Sequence, residues 1–104
     1  MQIKVEQKGK TIISVEGRLD SSNSGELEKV LLECQAAGKN DLLIDFSRLD
    51  YISSAGLRVL LMTAKSAKAA GGQVVLAALN SDVRQVFDIS GFTSIFPIIE
   101  KDDC

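Results

Sequence analysis

Leu42-Leu43-Ile44-Asp45-Phe46 is the segment that most constrains the fold, because a nearly unbroken apolar run this short suits a central strand buried on both faces. Such a strand needs neighbours on either side and helices to cover it. The flanking sequence supplies both. Upstream, Ile3 and Val5, then Ile13 and Val15, alternate about Lys8-Gly9-Lys10, which predicts a hairpin. Polar Ser21-Ser22-Asn23-Ser24 then offers helix caps, and Leu27, Val30, Leu31 and Cys34 recur at i, i+3, i+4 and i+7 up to Gly38. Cys34 on that apolar face reads as a small core residue.

Downstream, Ser47–Ile52 is expected to connect the central strand to a second helix that opens near Ser53-Ser54-Ala55-Gly56 and ends at Gly71-Gly72. Gln73–Leu79 reads as another buried strand. Asn80-Ser81-Asp82 caps a third helix bearing Val83, Val86 and Phe87, which Gly91 stops. Ile95–Ile99 is expected to form a last strand, placed at an edge because Pro97 has no amide donor. Glu100–Cys104 reads as a frayed tail. The order is ββαβαβαβ, with no repeat or linker across 104 residues, so residues 1–104 are expected to be one α/β domain: a mixed sheet with helices packed against it.

Composition removes several functions. Without histidine there is no Ser–His–Asp triad, histidine base or histidine metal site. Asp20, Asp45 and Asp50 could be imagined as a magnesium cluster, or Asp45 as the acceptor of a receiver-like domain, but such domains lack the opening hairpin. No nucleophile and base can be assembled, so no catalysis, metal or cofactor is expected. A net charge of −2, a pI near 5.0 and a single tyrosine argue against nucleic acid. No apolar run approaches a membrane span, and the N-terminus is unlike a signal peptide. Cys34 and Cys104 lie far apart and suggest no disulfide framework, so a cytoplasmic protein is expected.

The second helix carries more apolar surface than one buried face requires. At about 100° per residue Leu57, Leu60, Leu61 and Ala64 share one side, and Ala55, Val59, Met62 and Ser66 the other. Neighbouring helices can cover that second stripe, or a partner can. Arg58 would give it a charged rim. At the helix start, Ser53 and Ser54 suit a cap, and the same position allows a serine to accept a phosphate without unfolding the domain.

Asp45-Phe46-Ser47-Arg48-Leu49-Asp50-Tyr51-Ile52-Ser53-Ser54-Ala55-Gly56-Leu57 resembles the signature of STAS domains, specifically bacterial anti-sigma factor antagonists. Gly17-Arg18-Leu19-Asp20 is similar to the family's Gly-x-Leu-Asp segment, and Val83–Phe92 to its third helix and following turn. The resemblance implies the STAS fold and a partner-switching cycle. The unmodified protein binds an anti-sigma Ser/Thr kinase and so releases a sigma factor. Phosphorylation on the serine two positions before the signature glycine, here Ser54, turns binding off. A metal-dependent Ser/Thr phosphatase restores it. Ser53 stands where well-studied members carry aspartate, which makes it a second candidate for modification. The implied partner surface comprises Asp20, Ser21, Ser22, Ser53, Ala55, Gly56, Arg58, Val59 and Met62. The alternative implied role is a STAS accessory or scaffold protein in transport or stress signalling, without a sigma-factor output.

Overall fold

A computed structural model describes residues 1–100. β1 (Gln2–Lys8) and β2 (Lys10–Leu19) form the expected antiparallel hairpin about Gly9. α1 (Ser24–Ala36), β3 (Asp41–Ile52), α2 (Ser54–Ala69), β4 (Gln73–Ala77), α3 (Ser81–Ser90) and β5 (Ile98–Ile99) follow. The sheet order is β1-β2-β3-β4-β5, and β2 to β5 are mutually parallel. Each step from β2 onward moves one strand in the same direction through one helix. Right-handed crossovers therefore place all three helices on a single face.

The packing agrees. Ile13, Val15, Leu42, Ile44, Phe46, Val74 and Leu76 project from the sheet into one core with Leu27, Leu31, Leu57, Leu60, Val83 and Phe87 of the helices. The opposite face holds a smaller apolar set, Ile12, Leu43 and Ala77, with Val75 against them. The central run is thus buried on both faces, the second time by its sheet neighbours. Cys34 is buried in the main core, and desolvation raises its thiol pKa.

Three expectations are corrected. Ser47–Ile52 is the second half of β3 and not a connection, so Asp50 takes an exposed strand position, while Asp45 lies within the strand as expected. Its pairing with β2 shifts register twice, between Ser14 and Glu16 and between Gly17 and Arg18, each time with one extra residue in β3. Those bulges break the alternation by which a strand is recognised, leaving Ser47-Arg48 and Asp50-Tyr51 as consecutive exposed pairs.

The last strand is also shorter than expected. Only Ile98 and Ile99 pair with β4, while Phe92–Ser94 forms a 3-10 turn. Phe96 instead packs edge-on to Phe87 with ring centroids 6.0 Å apart, and Phe92 completes the cluster. Burying three rings together outweighs the strand propensity of Ile95 and Phe96. β5 does form an edge, and the Pro97 carbonyl accepts a hydrogen bond from the Leu76 amide at 2.9 Å. The expected tail falls, beyond Glu100, outside the described residues.

The third correction concerns α2. Its buried residues are Gly56, Leu57, Val59, Leu60, Thr63 and Ala67, whereas Leu61 and Ala64 are half-buried. Packing against α1 accounts for the rotation: Gln35 of α1 donates to the Thr63 carbonyl at 3.2 Å, and Val59 joins the core that contains Leu27, Leu31 and Cys34.

Candidate functional site

The parallel strands deliver their C-terminal ends to one edge of the molecule. Leu19 and Ile52 are the last paired residues of β2 and β3, and the Ser53 amide then donates to the Leu19 carbonyl at 2.9 Å. That bond ties the start of α2 to the end of β2, so Asp20 and Ser53 leave from adjacent points.

Local chemistry separates the two serines. Ser53 is the N-cap of α2, with extended backbone, and its hydroxyl accepts from the Gly56 amide at 3.3 Å. Its carbonyl accepts from the Leu57 amide at 3.0 Å. Ser54 is the first helical residue and is exposed. Among the described residues no group engages its hydroxyl. Gly56 is buried because α2 crosses the end of β2 closely: a Cβ there would lie 2.8 Å from Leu19 Cγ and 3.0 Å from Ile52 Cγ1.

Beside this helix start, Asp20–Asn23 is a tightly hydrogen-bonded turn. The Asp20 carboxylate accepts from the Ser22 hydroxyl at 2.6 Å and the Ser22 amide at 3.0 Å. These bonds, above all the one from the hydroxyl, hold the Asp20 pKa below its ordinary 3.8, with Arg18 adding to the effect. Asn23 Oδ1 accepts from the Asp20 amide at 2.9 Å, and its amide group donates to the Arg18 carbonyl at 2.8 Å. The Asn23 side chain is therefore used to fasten the turn, and among the described residues no side chain caps α1.

The structure brings Asp20, Ser21, Ser22, Ser53, Ser54 and Ala55 to this end of the molecule, and Arg58 follows one turn along α2 on the exposed side. Met62 is 54% exposed but lies about 12 Å farther along the helix than Ser54. Val59 and Gly56, both named in the implied partner surface, are buried; for Val59 the covering by a neighbouring helix is the one of the two expected arrangements that the structure shows.

Two features escaped the sequence reading. The Arg18 guanidinium stacks 4.2 Å from the centroid of Tyr51, which is 40% exposed, so a cation–π pair flanks the strand ends. Only the doubly shifted register puts Arg18 opposite Tyr51. Asn80 makes two bonds: it caps α3 through the Val83 amide at 2.8 Å and donates to the Leu49 carbonyl at 2.9 Å. Its capping role was legible in the sequence; its grip on β3 was not. Among the described residues, no group of three or more His, Cys, Asp or Glu could hold a metal ion, and no helix is long and apolar enough to cross a membrane.

Comparison with known proteins gives the same fold. Residues 2–102 match the STAS domain family model. The candidate anti-sigma factor antagonist BtrV of Bordetella bronchiseptica is 46% identical over 90 residues, which cover 86% of this chain and 78% of that protein. The anti-sigma-B factor antagonist of Bacillus subtilis is 30% identical over 91 residues, 88% of this chain and 83% of its own. The crystal structure of an anti-sigma factor antagonist from Mycobacterium paratuberculosis superposes with a TM-score of 0.90 at 25% identity, covering 98% of this chain and 87% of that one.

Proposed function

This chain belongs to the STAS domain family, and we propose that it acts, like the relatives described above, as an anti-sigma factor antagonist. In this reading its unphosphorylated form binds an anti-sigma Ser/Thr kinase in the cytoplasm and frees the sigma factor. The chain is the kinase's substrate and binding partner, and no catalysis is assigned to it.

The observation that carries the switch is the division of labour between the two serines. Ser53 spends its hydroxyl on the helix cap, while Ser54 presents an unengaged, exposed hydroxyl one residue later. A phosphate on Ser54 adds about −1.5 to −2 charges at the helix start. The free amides of the first turn tolerate that charge, so the domain stays folded. A docked partner does not tolerate it. The dianion must lose its water and adds to the negative charge of Asp20, which is ionised at neutral pH. A loss of only ~2.7–4.1 kcal/mol weakens binding a hundred- to a thousandfold. A change of charge inside an interface is large enough for that. A metal-dependent Ser/Thr phosphatase then resets the protein.

The test is intact-mass spectrometry with site mapping after incubation with ATP and each anti-sigma-type kinase of the same genome. A single phosphate on Ser54, with loss of kinase affinity, is the expected result. No phosphate from kinases that modify their own control substrates, or a modified protein that still binds with undiminished affinity, would overturn the reading.

A further inference from the structure

β1 lies at one edge of the sheet, and among the described residues no strand lies beside its outer side. Six of its seven residues are exposed, and Val5 retains 46% of its surface. An open edge strand is a template for another strand, and scattered lysines commonly protect against that. The charges of β1 have a different arrangement. Lys4 stands beside Ser14 and Glu6 beside Ile12, so both project from the sheet face opposite the helices. Glu6 reaches Lys8 on that same face at 3.9 Å. Val5 points the other way.

Two copies related by a two-fold axis perpendicular to the sheet can pair β1 with β1 only where opposing residues share a face. With the axis at Val5, Lys4 of each copy faces Glu6 of the other, giving two opposite-charge pairs, and the exposed valines meet. With the axis one residue earlier, Lys4 faces Lys4; one residue later, Glu6 faces Glu6 and Lys4 faces Lys8. Directly opposed like charges destabilise a ladder, whereas opposite charges and β-branched pairs stabilise it. An axis at Gln7 would also set Glu6 against Lys8 but would engage only Glu6–Lys8, and one at Ile3 only Gln2–Lys4. The axis at Val5 pairs the whole of Gln2–Lys8 and is the register that the length and charges of β1 favour together.

We propose that a second copy of this chain pairs antiparallel along β1 with Val5 on the two-fold axis, extending the five strands of each copy into one ten-stranded sheet. Because β2 to β5 then run in opposite directions in the two copies, the Ser54 ends point away from each other and both stay open to a partner.

Sedimentation equilibrium at low ionic strength tests this with wild type, Lys4→Glu, Glu6→Lys and the double reversal. Wild type should show a reversible dimer that weakens with added salt. Either single reversal turns both attractive pairs into repulsive ones and should weaken it about tenfold or more. The double reversal, and an equimolar mixture of the two single variants, should recover it, since opposite charges again face each other. Both side chains exchanged are exposed, and circular dichroism checks that each variant is folded. Wild type that stays monomeric at concentrations on the order of 1 mM, the weak limit of specific association, would overturn the proposal. So would a dimer indifferent to the single reversals, or a mixture that fails to recover it.

Discussion

Ser53 and Ser54 are chemically identical neighbours whose exchange for alanine should have opposite consequences. Ser53→Ala removes the cap to Gly56 and should cost about 1 kcal/mol of stability, read by urea denaturation, while leaving a phosphate acceptor in place. Ser54→Ala should change stability by less than about 0.5 kcal/mol and abolish phosphorylation in the kinase assay. Phosphorylation of Ser54→Ala mainly at Ser53 would reverse the assignment. Asp20 offers a test by titration. Ser22→Ala removes the hydroxyl that most lowers its pKa, and NMR titration should find the Asp20 carboxyl moved up toward 3.8. The sign follows from the lowered value. The turn's stabilisation by the carboxylate is complete above 3.8 and is lost as pH falls through the depressed folded pKa.

α2 and α3 reach the sheet through contacts that no periodicity encodes. Gly56 looks like a loop residue at a helix start, yet its missing side chain sets how closely α2 crosses Leu19. Gly56→Ala should destabilise by about 1–3 kcal/mol, because Leu19 and Ile52 must give way; thermal melting measures it. Asn80→Ala should cost about 1–2 kcal/mol, since the cap of α3 and the bond to Leu49 are lost together. The helices were legible as elements from spaced apolar residues and their end signals, although α2 buries a different side from the one expected. β1 and β2 were legible from alternation about a glycine turn, and the buried half of β3 from its nearly unbroken apolar run. The bulged half of β3 was not, because two added residues disrupt its alternation. The Ile95–Phe96 segment was misread for another reason: three rings from α3 and the chain beyond it satisfy one another, a tertiary preference with no local signature. At the candidate site, a serine pair at the start of α2 was legible through cap chemistry, whereas the polar loop after Asp20 read as a source of caps for α1 and proves to be a self-bonded turn. The inward orientation of Val59 depended on α1, and therefore on the packed structure.

Across the whole molecule the chemistry is divided between a sheet covered by helices on one side and a rim formed by strand ends. Events at that rim should leave the interior undisturbed. Cys34 provides a built-in monitor, since it is only 8% exposed and burial raises its thiol pKa. Its alkylation under native conditions, followed by peptide mapping, should proceed only through opening of the core and should be equally slow before and after Ser54 is phosphorylated. Faster labelling of the phosphorylated form would show that the modification loosens the core as well as altering the rim.

The single hydrogen bond from the Ser53 amide to the Leu19 carbonyl also has a kinetic meaning. Its two ends are separated by the whole of α1 and β3, so the bond forms only after a long loop has closed and a parallel ladder has been laid down. Contacts of that kind come at a high entropic cost and form slowly. A chain still emerging from the ribosome, or one that has lost its β2–β3 pairing, carries Ser54 in its sequence but does not hold it beside the Asp20 turn. A partner that reads the arrangement and ignores the peptide will engage only molecules that have finished folding, so the same geometry that presents the serine also screens the pool of chains for completeness.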